Sequence, residues 1–151
     1  MYASELLHFI GKHPKLKSQF GGIYPEDILP FNSNKRFFII NTDPSYEQGS
    51  HWVAIHISNF HAEFFDSLAG CPSQYSENIE NFLVVNALCY YYNKRKLQSD
   101  TSRACGLYCL YYLFWRCEGY SMEEILARFT ENFDYNESIV HSFYTYNKHI
   151  H

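Results

Sequence analysis

An α+β fold is predicted for this sequence: a small, mostly antiparallel mixed sheet packed against a buried central helix, with further helices around it. Three observations carry that expectation. Residues 106–117 are apolar or aromatic almost without a break, as in a helix that is buried all round. Residues 36–41 and 51–58 are β-branched and aromatic runs bounded by polar, Pro- and Gly-containing stretches, and 62–66 returns directly behind the second of them. Aromatic residues make up 19% of the chain, with 14 Tyr and 13 Phe, so the core is expected to be built on rings. At 151 residues the chain is long enough for one core and too short for two, so 1–151 is read as a single domain.

In chain order, residues 3–11 read as an opening helix with Leu6, Leu7 and Ile10 on one face and Gly11 near its end. Gly21, Gly22, Pro25, Pro30, Asn32 and Asn34 mark a long irregular passage. Arg36–Asn41 is a buried strand, and 42–50 is a polar loop with Pro44 and Gly49. Strand 51–58 places Val53, Ile55 and Ile57 on one face and Trp52, Ala54 and His56 on the other. Asn59 lies in the connection to the strand of Ala62–Asp66, an antiparallel hairpin that brings Asp66 back to the end carrying His51. Residues 67–72 form a turn, 76–93 a helix carrying Ile79, Phe82, Leu83 and Cys89, and 95–99 a short strand. After the central helix, Ser121-Met122-Glu123-Glu124 fits a capping box, and 134–137 offers another start for a helix running to about Lys148.

Composition excludes several classes. Hydrophobic residues at 46% and charged ones at 19% are those of a folded chain, and a net charge of -4 gives no basic footprint for nucleic acid. The five cysteines, an odd number without a secretory apolar run in 1–12, point to a reducing, intracellular compartment. No stretch approaches the ~20 apolar residues of a membrane span. Cys105, Cys109 and Cys117 share one helix without a matching ligand pair, so no metal and no cofactor is expected. His51 and His56 fall on opposite strand faces, and His141, His149 and His151 read as a solvated surface. Tyr90-Tyr91-Tyr92 followed by Asn93-Lys94-Arg95-Lys96 is either a weak nucleic-acid contact or a helix end that favours cations.

Chemistry concentrates at the start of the central helix. Cys105 falls in its first turn, where unpaired N–H groups and the positive dipole end lower a thiol pKa toward thiolate, although a core cysteine would occupy the same position. A thiolate nucleophile needs a base, a group to orient the base, and donors for an oxyanion. His51, Asp66 and Gln98 stand in that order ahead of Cys105 and can supply these roles, with the Cys105 N–H as a second oxyanion donor.

These residues resemble the adenovirus proteinase (adenain) family of cysteine proteases, within the wider clan of SUMO and ubiquitin-like-protein proteases. Asn41-Thr42, the loop to Gly49-Ser50-His51-Trp52, Phe64-Phe65-Asp66 with Gly70, Gln98 seven positions before the cysteine, and Ala104-Cys105-Gly106-Leu107-Tyr108-Cys109 carry the likeness over roughly 20–110. The acidic member is Glu in adenovirus enzymes and Asp here. The resemblance implies an adenain-like fold and a thiol endopeptidase with catalytic His51, Asp66, Gln98 and Cys105. Trp52, Gly49 and Gly106 would line a narrow substrate channel admitting small residues. The implied substrates are precursor proteins of a virus or virus-like element, cut at Gly-containing sites in the host nucleus or cytoplasm or inside virions. Family members are longer, basic and stimulated by DNA and a disulfide-linked peptide. The -4 charge argues against a DNA activator, and Cys89 lies near but out of register with the peptide-linking cysteine. A monomer is expected. The alternatives are a deconjugase cutting after a Gly-Gly tail and a catalytically silent binding module.

Overall fold

Strand β2 (Phe37–Asn41) is buried along its whole length, and this sets the layering of the chain. Its residues alternate between two cores: Phe37 and Ile39 face one, Phe38 and Ile40 the other. The computed structural model describes residues 1–31 and 33–149; Asn32 and His151, read above as loop and surface residues, lie outside the described residues. Five strands form one sheet in sequence order: β1 (Phe20–Pro25), β2, β3 (Trp52–Ser58), β4 (His61–Phe65) and β5 (Cys89–Tyr92). The two central pairings are antiparallel and the two outer ones parallel, so the sheet is mixed.

One face carries α1 (Ala3–Gly11), α2 (Pro14–Gln19), α5 (Cys105–Cys117), α6 (Met122–Leu126) and α7 (Phe133–Asn147) around the larger core. The other is covered by α4 (Glu77–Asn86) through Ile79, Phe82 and Leu83, with α3 (Pro72–Tyr75) beside it. Helix α5 is the expected central helix, with its first nine residues all buried. Rings dominate its surroundings, as composition predicts: Tyr112 stacks on Phe65 at 4.6 Å, and Tyr111 meets Phe129 and Phe143 edge-on. No helix among the described residues is long and apolar enough to cross a membrane.

Four local readings are corrected. The passage opening at Gly21 begins as strand β1, preceded by α2. Its glycines make a bulge where a Cβ on Gly21 would meet the Phe38 ring at 2.2 Å, and Gly22 takes φ 125°. The helix expected over 76–93 stops at Asn86. Ala87 is extended, and the Tyr run forms β5, with Tyr90 and Tyr92 turned to the core beside β4. Residues 95–99 form a loop rather than a strand, pinned where the Leu97 and Gln98 N–H groups donate to the Ser67 carbonyl. The last helix starts at Phe133, just ahead of the expected 134–137, because Asn132 caps it by accepting from the Tyr135 N–H. The opening helix, the β3–β4 hairpin and the Ser121 capping box stand as expected.

A carboxylate braces the sheet to α5. Glu63 on β4 takes hydrogen bonds from Arg116 Nε at 2.9 Å and from the Tyr112 hydroxyl, while His56 Nδ1 lies 3.7 Å away, too far for a hydrogen bond. Burial works to raise the Glu63 pKa, but the histidine, arginine and tyrosine around it outweigh that and bring it down to about 2. A carboxylate held below its ordinary 4.5 stabilises the fold above that value and loses its contribution as pH falls toward about 2. The shift corresponds to about 3 kcal/mol at neutral pH. Denaturant unfolding of wild type and Glu63→Gln should therefore differ by that order at pH 7, and the gap should close between pH 4.5 and 2.

Candidate active site

The β3–β4 hairpin sets two of the expected residues face to face. Asn59, at φ 50°, and Phe60 make a two-residue turn, and the register pairs Ser58 with His61 through to Ala54 with Phe65. His51 immediately precedes β3, its carbonyl held by the Thr42 N–H, and Asp66 immediately follows β4. Their side chains meet with His51 Nε2 2.6 Å from Asp66 Oδ1, and Asp66 is wholly buried. The other ring nitrogen, Nδ1, is thereby left for Cys105.

Cys105 is the first residue of α5, after Ala104, and is buried. The Trp52 N–H points at its Sγ from 3.5 Å, so β3 supplies a backbone donor to the sulfur as well as carrying the histidine's neighbour. Burial pushes the Cys105 thiol up. The His51 imidazole, the Trp52 and Gly106 N–H groups and the charge on His51 outweigh it and bring the thiol below its ordinary value. His51 moves the opposite way. Burial alone would lower it, but Asp66 and Cys105 on its two sides raise it to about 9. Both shifts favour the thiolate–imidazolium form of the pair over thiol and neutral imidazole.

Gln98 is buried in the loop ahead of Cys105. Its Oε1 accepts the Ser67 hydroxyl at 2.5 Å, and its Nε2 donates one hydrogen to the Ser102 carbonyl at 3.0 Å. The second amide hydrogen has no partner among the described residues, and Gln98 lines a cleft together with Cys105 and His51. That cleft, about 620 Å³, is also bounded by Trp52, Gly49 and Leu68. The Trp52 indole is fixed by donating Nε1–H to the Met1 carbonyl at 3.0 Å. Gly49 is required by close approach, since a Cβ there would lie 2.0 Å from Asn41 Nδ2. Gly106 is placed differently from Trp52 and Gly49. It is buried under Met1 and Leu6, where a Cβ would come within 3.0 Å of the Met1 sulfur, and it does not line the cleft.

Sequence reasoning missed the residues that hold Asp66. Its carboxylate accepts the Leu68 N–H on Oδ1 and the Gly70 N–H on Oδ2, each at 2.9 Å, and also the Tyr75 hydroxyl on Oδ2. Asn93 clamps its backbone, accepting from the Asp66 N–H at 2.9 Å and donating to its carbonyl at 2.6 Å. Burial raises the Asp66 pKa, but His51, Tyr75 and the Leu68 N–H outweigh it and hold the carboxylate ionised. The turn signal at Ser67–Gly70 was legible, since an Asp leading such a turn bonds the N–H groups two to four residues on. Tyr75, on a four-residue helix, left no such signal.

No family model matches the chain. A protein of Acanthamoeba polyphaga mimivirus named as a thiol protease, R355, is 34% identical over 98 residues, 59% of this chain and 32% of that protein. The chain thus spans about a third of that relative's length. Among solved structures, the selenomethionine form of the ASFV pS273R protease is similar, with a TM-score of 0.55 at 15% identity over 99% of this chain and 66% of that one. ChlaDub1 from Chlamydia trachomatis gives 0.55 at 13% identity, over 96% of this chain and 75% of that one. These likenesses show the fold, an α+β arrangement like that of the ASFV pS273R protease and ChlaDub1.

Peptide-resolved alkylation with iodoacetamide across pH should give Cys105 an apparent pKa below that of a free thiol, and His51→Ala should return it upward. Equal titration in the two proteins would contradict the assigned ion pair.

Proposed function

We propose that residues 1–151 form a cysteine endopeptidase domain with Cys105 as nucleophile, His51 as general base and acid, Asp66 as the group orienting His51, and Gln98 with the Cys105 N–H as oxyanion donors. The observation that carries the reading is an imidazole held at 2.6 Å by a buried carboxylate and facing the same cleft as a thiol at the start of a helix. The mimivirus relative named as a thiol protease supports it.

The thiolate attacks the scissile carbonyl carbon, and the oxygen takes up negative charge facing the Gln98 amide and the helix N-terminus. His51 Nδ1–H then protonates the departing amine as the C–N bond breaks, leaving a thioester on Cys105. Neutral His51 next takes a proton from water, whose oxygen attacks the thioester. The acid product leaves and the thiolate–imidazolium pair is restored. Asp66 stays ionised throughout, held by three donors besides His51.

The substrate is a protein or peptide chain. Trp52, fixed on the Met1 carbonyl, and Gly49, pressed on Asn41, narrow the cleft so that small residues pass beside the cut, and Gly-containing sites in viral or virus-like precursors fit that shape. Gly106 supports this site from beneath by letting the α5 N-terminus pack against Met1 and Leu6.

Cleavage of a peptide library, mapped by mass spectrometry, should fall at least about a thousandfold in Cys105→Ala with the fold retained. Undiminished cuts in that variant would refute the nucleophile. Cuts in extended peptides favour precursor processing, whereas release of a folded modifier without peptide cleavage would favour the deconjugase. Across pH, kcat/KM should rise as Cys105 ionises below the ordinary thiol value and fall as His51 loses its proton near 9.

A further inference from the structure

Beside the cleft, on the far side of Arg103, lies a second cavity of about 320 Å³ lined by Glu5, Ala104, Leu107, Glu137, His141 and Tyr144 among others. Arg103 borders both cavities and stands two residues before Cys105. The other charged side chains along this path have polar partners. Asp100 pairs with Lys96, Glu5 accepts the Tyr2 N–H at 2.6 Å, and Glu137 accepts the Ser102 hydroxyl at 3.0 Å with His141 3.7 Å away. His51 is held by Asp66. Among the described residues Arg103 has no ion-pair partner, and it is exposed. A guanidinium presents a planar fork of donors that matches a carboxylate, so a free one at this point is a receptor for an acidic group.

We infer that Arg103 is a specificity residue of the proposed protease, selecting substrates that carry an acidic side chain within about two residues of the scissile bond. The span follows from its place in the chain, since extended substrate advances about 3.3–3.6 Å per residue. A neutral, Gly-rich sequence satisfies the narrow part of the cleft. The neighbouring Glu or Asp is what Arg103 adds. The net charge of -4 makes the choice sharper, because an acidic substrate is otherwise repelled and only a local cation can hold it in register. The inference rests on the reading of the cleft as a protease site.

The test compares peptides that differ only as Glu, Gln or Lys at each of three positions on either side of a site cut by the wild type. At one position within two residues of the cut, kcat/KM for Glu over Gln should reach about three- to fivefold, as for an exposed charged pair. The ratio should drop to about one in Arg103→Ala, invert toward Lys in Arg103→Glu, and shrink as salt is raised. Fluorescence anisotropy of the labelled Glu and Gln peptides with Cys105→Ala protein should give the same order of affinity without any turnover. A ratio within twofold at every position, or one that Arg103 changes leave alone, overturns the inference. Cleavage that survives Cys105→Ala would instead refute the protease reading, and the anisotropy ratio still decides the role of Arg103.

Discussion

The hydrogen bond of 2.6 Å between His51 Nε2 and Asp66 Oδ1 joins the two feet of a hairpin at a point that solvent does not reach. A carboxylate taken out of water there is costly unless nearly every lone pair is matched. The chain supplies the match from its own next turn: the Leu68 and Gly70 N–H groups, the Tyr75 hydroxyl and the imidazole itself. Ala69 takes φ 60° so that the Gly70 N–H can reach back. A non-glycine residue in that region costs roughly 1–2 kcal/mol, and four donors on one carboxylate outweigh it. The same bond fixes which nitrogen of His51 turns toward Cys105, so the electrostatics of the thiol follow from the satisfaction of Asp66.

The second requirement is that the sulfur arrive at the other nitrogen. Helix α5 brings it there because its surface is apolar and ringed, and the only stable place for such a helix is against the sheet with aromatic partners on its remaining sides. Glu63 with Arg116 and Tyr112 then sets its position along β4. A slip of one residue in β3 would turn Trp52 from one core to the other and remove both its N–H from Cys105 and its indole from Met1.

Much of this was legible in the chain. Cys105 at a helix start came from the abrupt change at Ala104, and the meeting of His51 with Asp66 came from hairpin topology alone. What was not legible depended on tertiary override. Tyr90, Tyr91 and Tyr92 follow a helical run and were carried into it, whereas the open edge of β4 claims them as a strand. Gly21 and Gly22 looked like punctuation, yet within the strand Gly21 crosses the Phe38 ring and Gly22, at φ 125°, lies against the Tyr24 ring. Tyr75 and Asn93, nine and 27 positions from Asp66, could not be tied to it by any local pattern. Gly106 was read as a channel residue and lies beneath the site, because its neighbour across α5 is the start of α1 rather than the cleft.

Trp52 touches the sulfur through its backbone and the first residue of the chain through its ring. The seating of the segment ahead of α1 and the occupancy of the cleft therefore meet at one residue. By thermodynamic linkage, whatever factor the one imposes on the other is returned unchanged. Met1 and Tyr2, which themselves border the cleft, are thereby part of the wall that a chain drawn across Cys105 would meet.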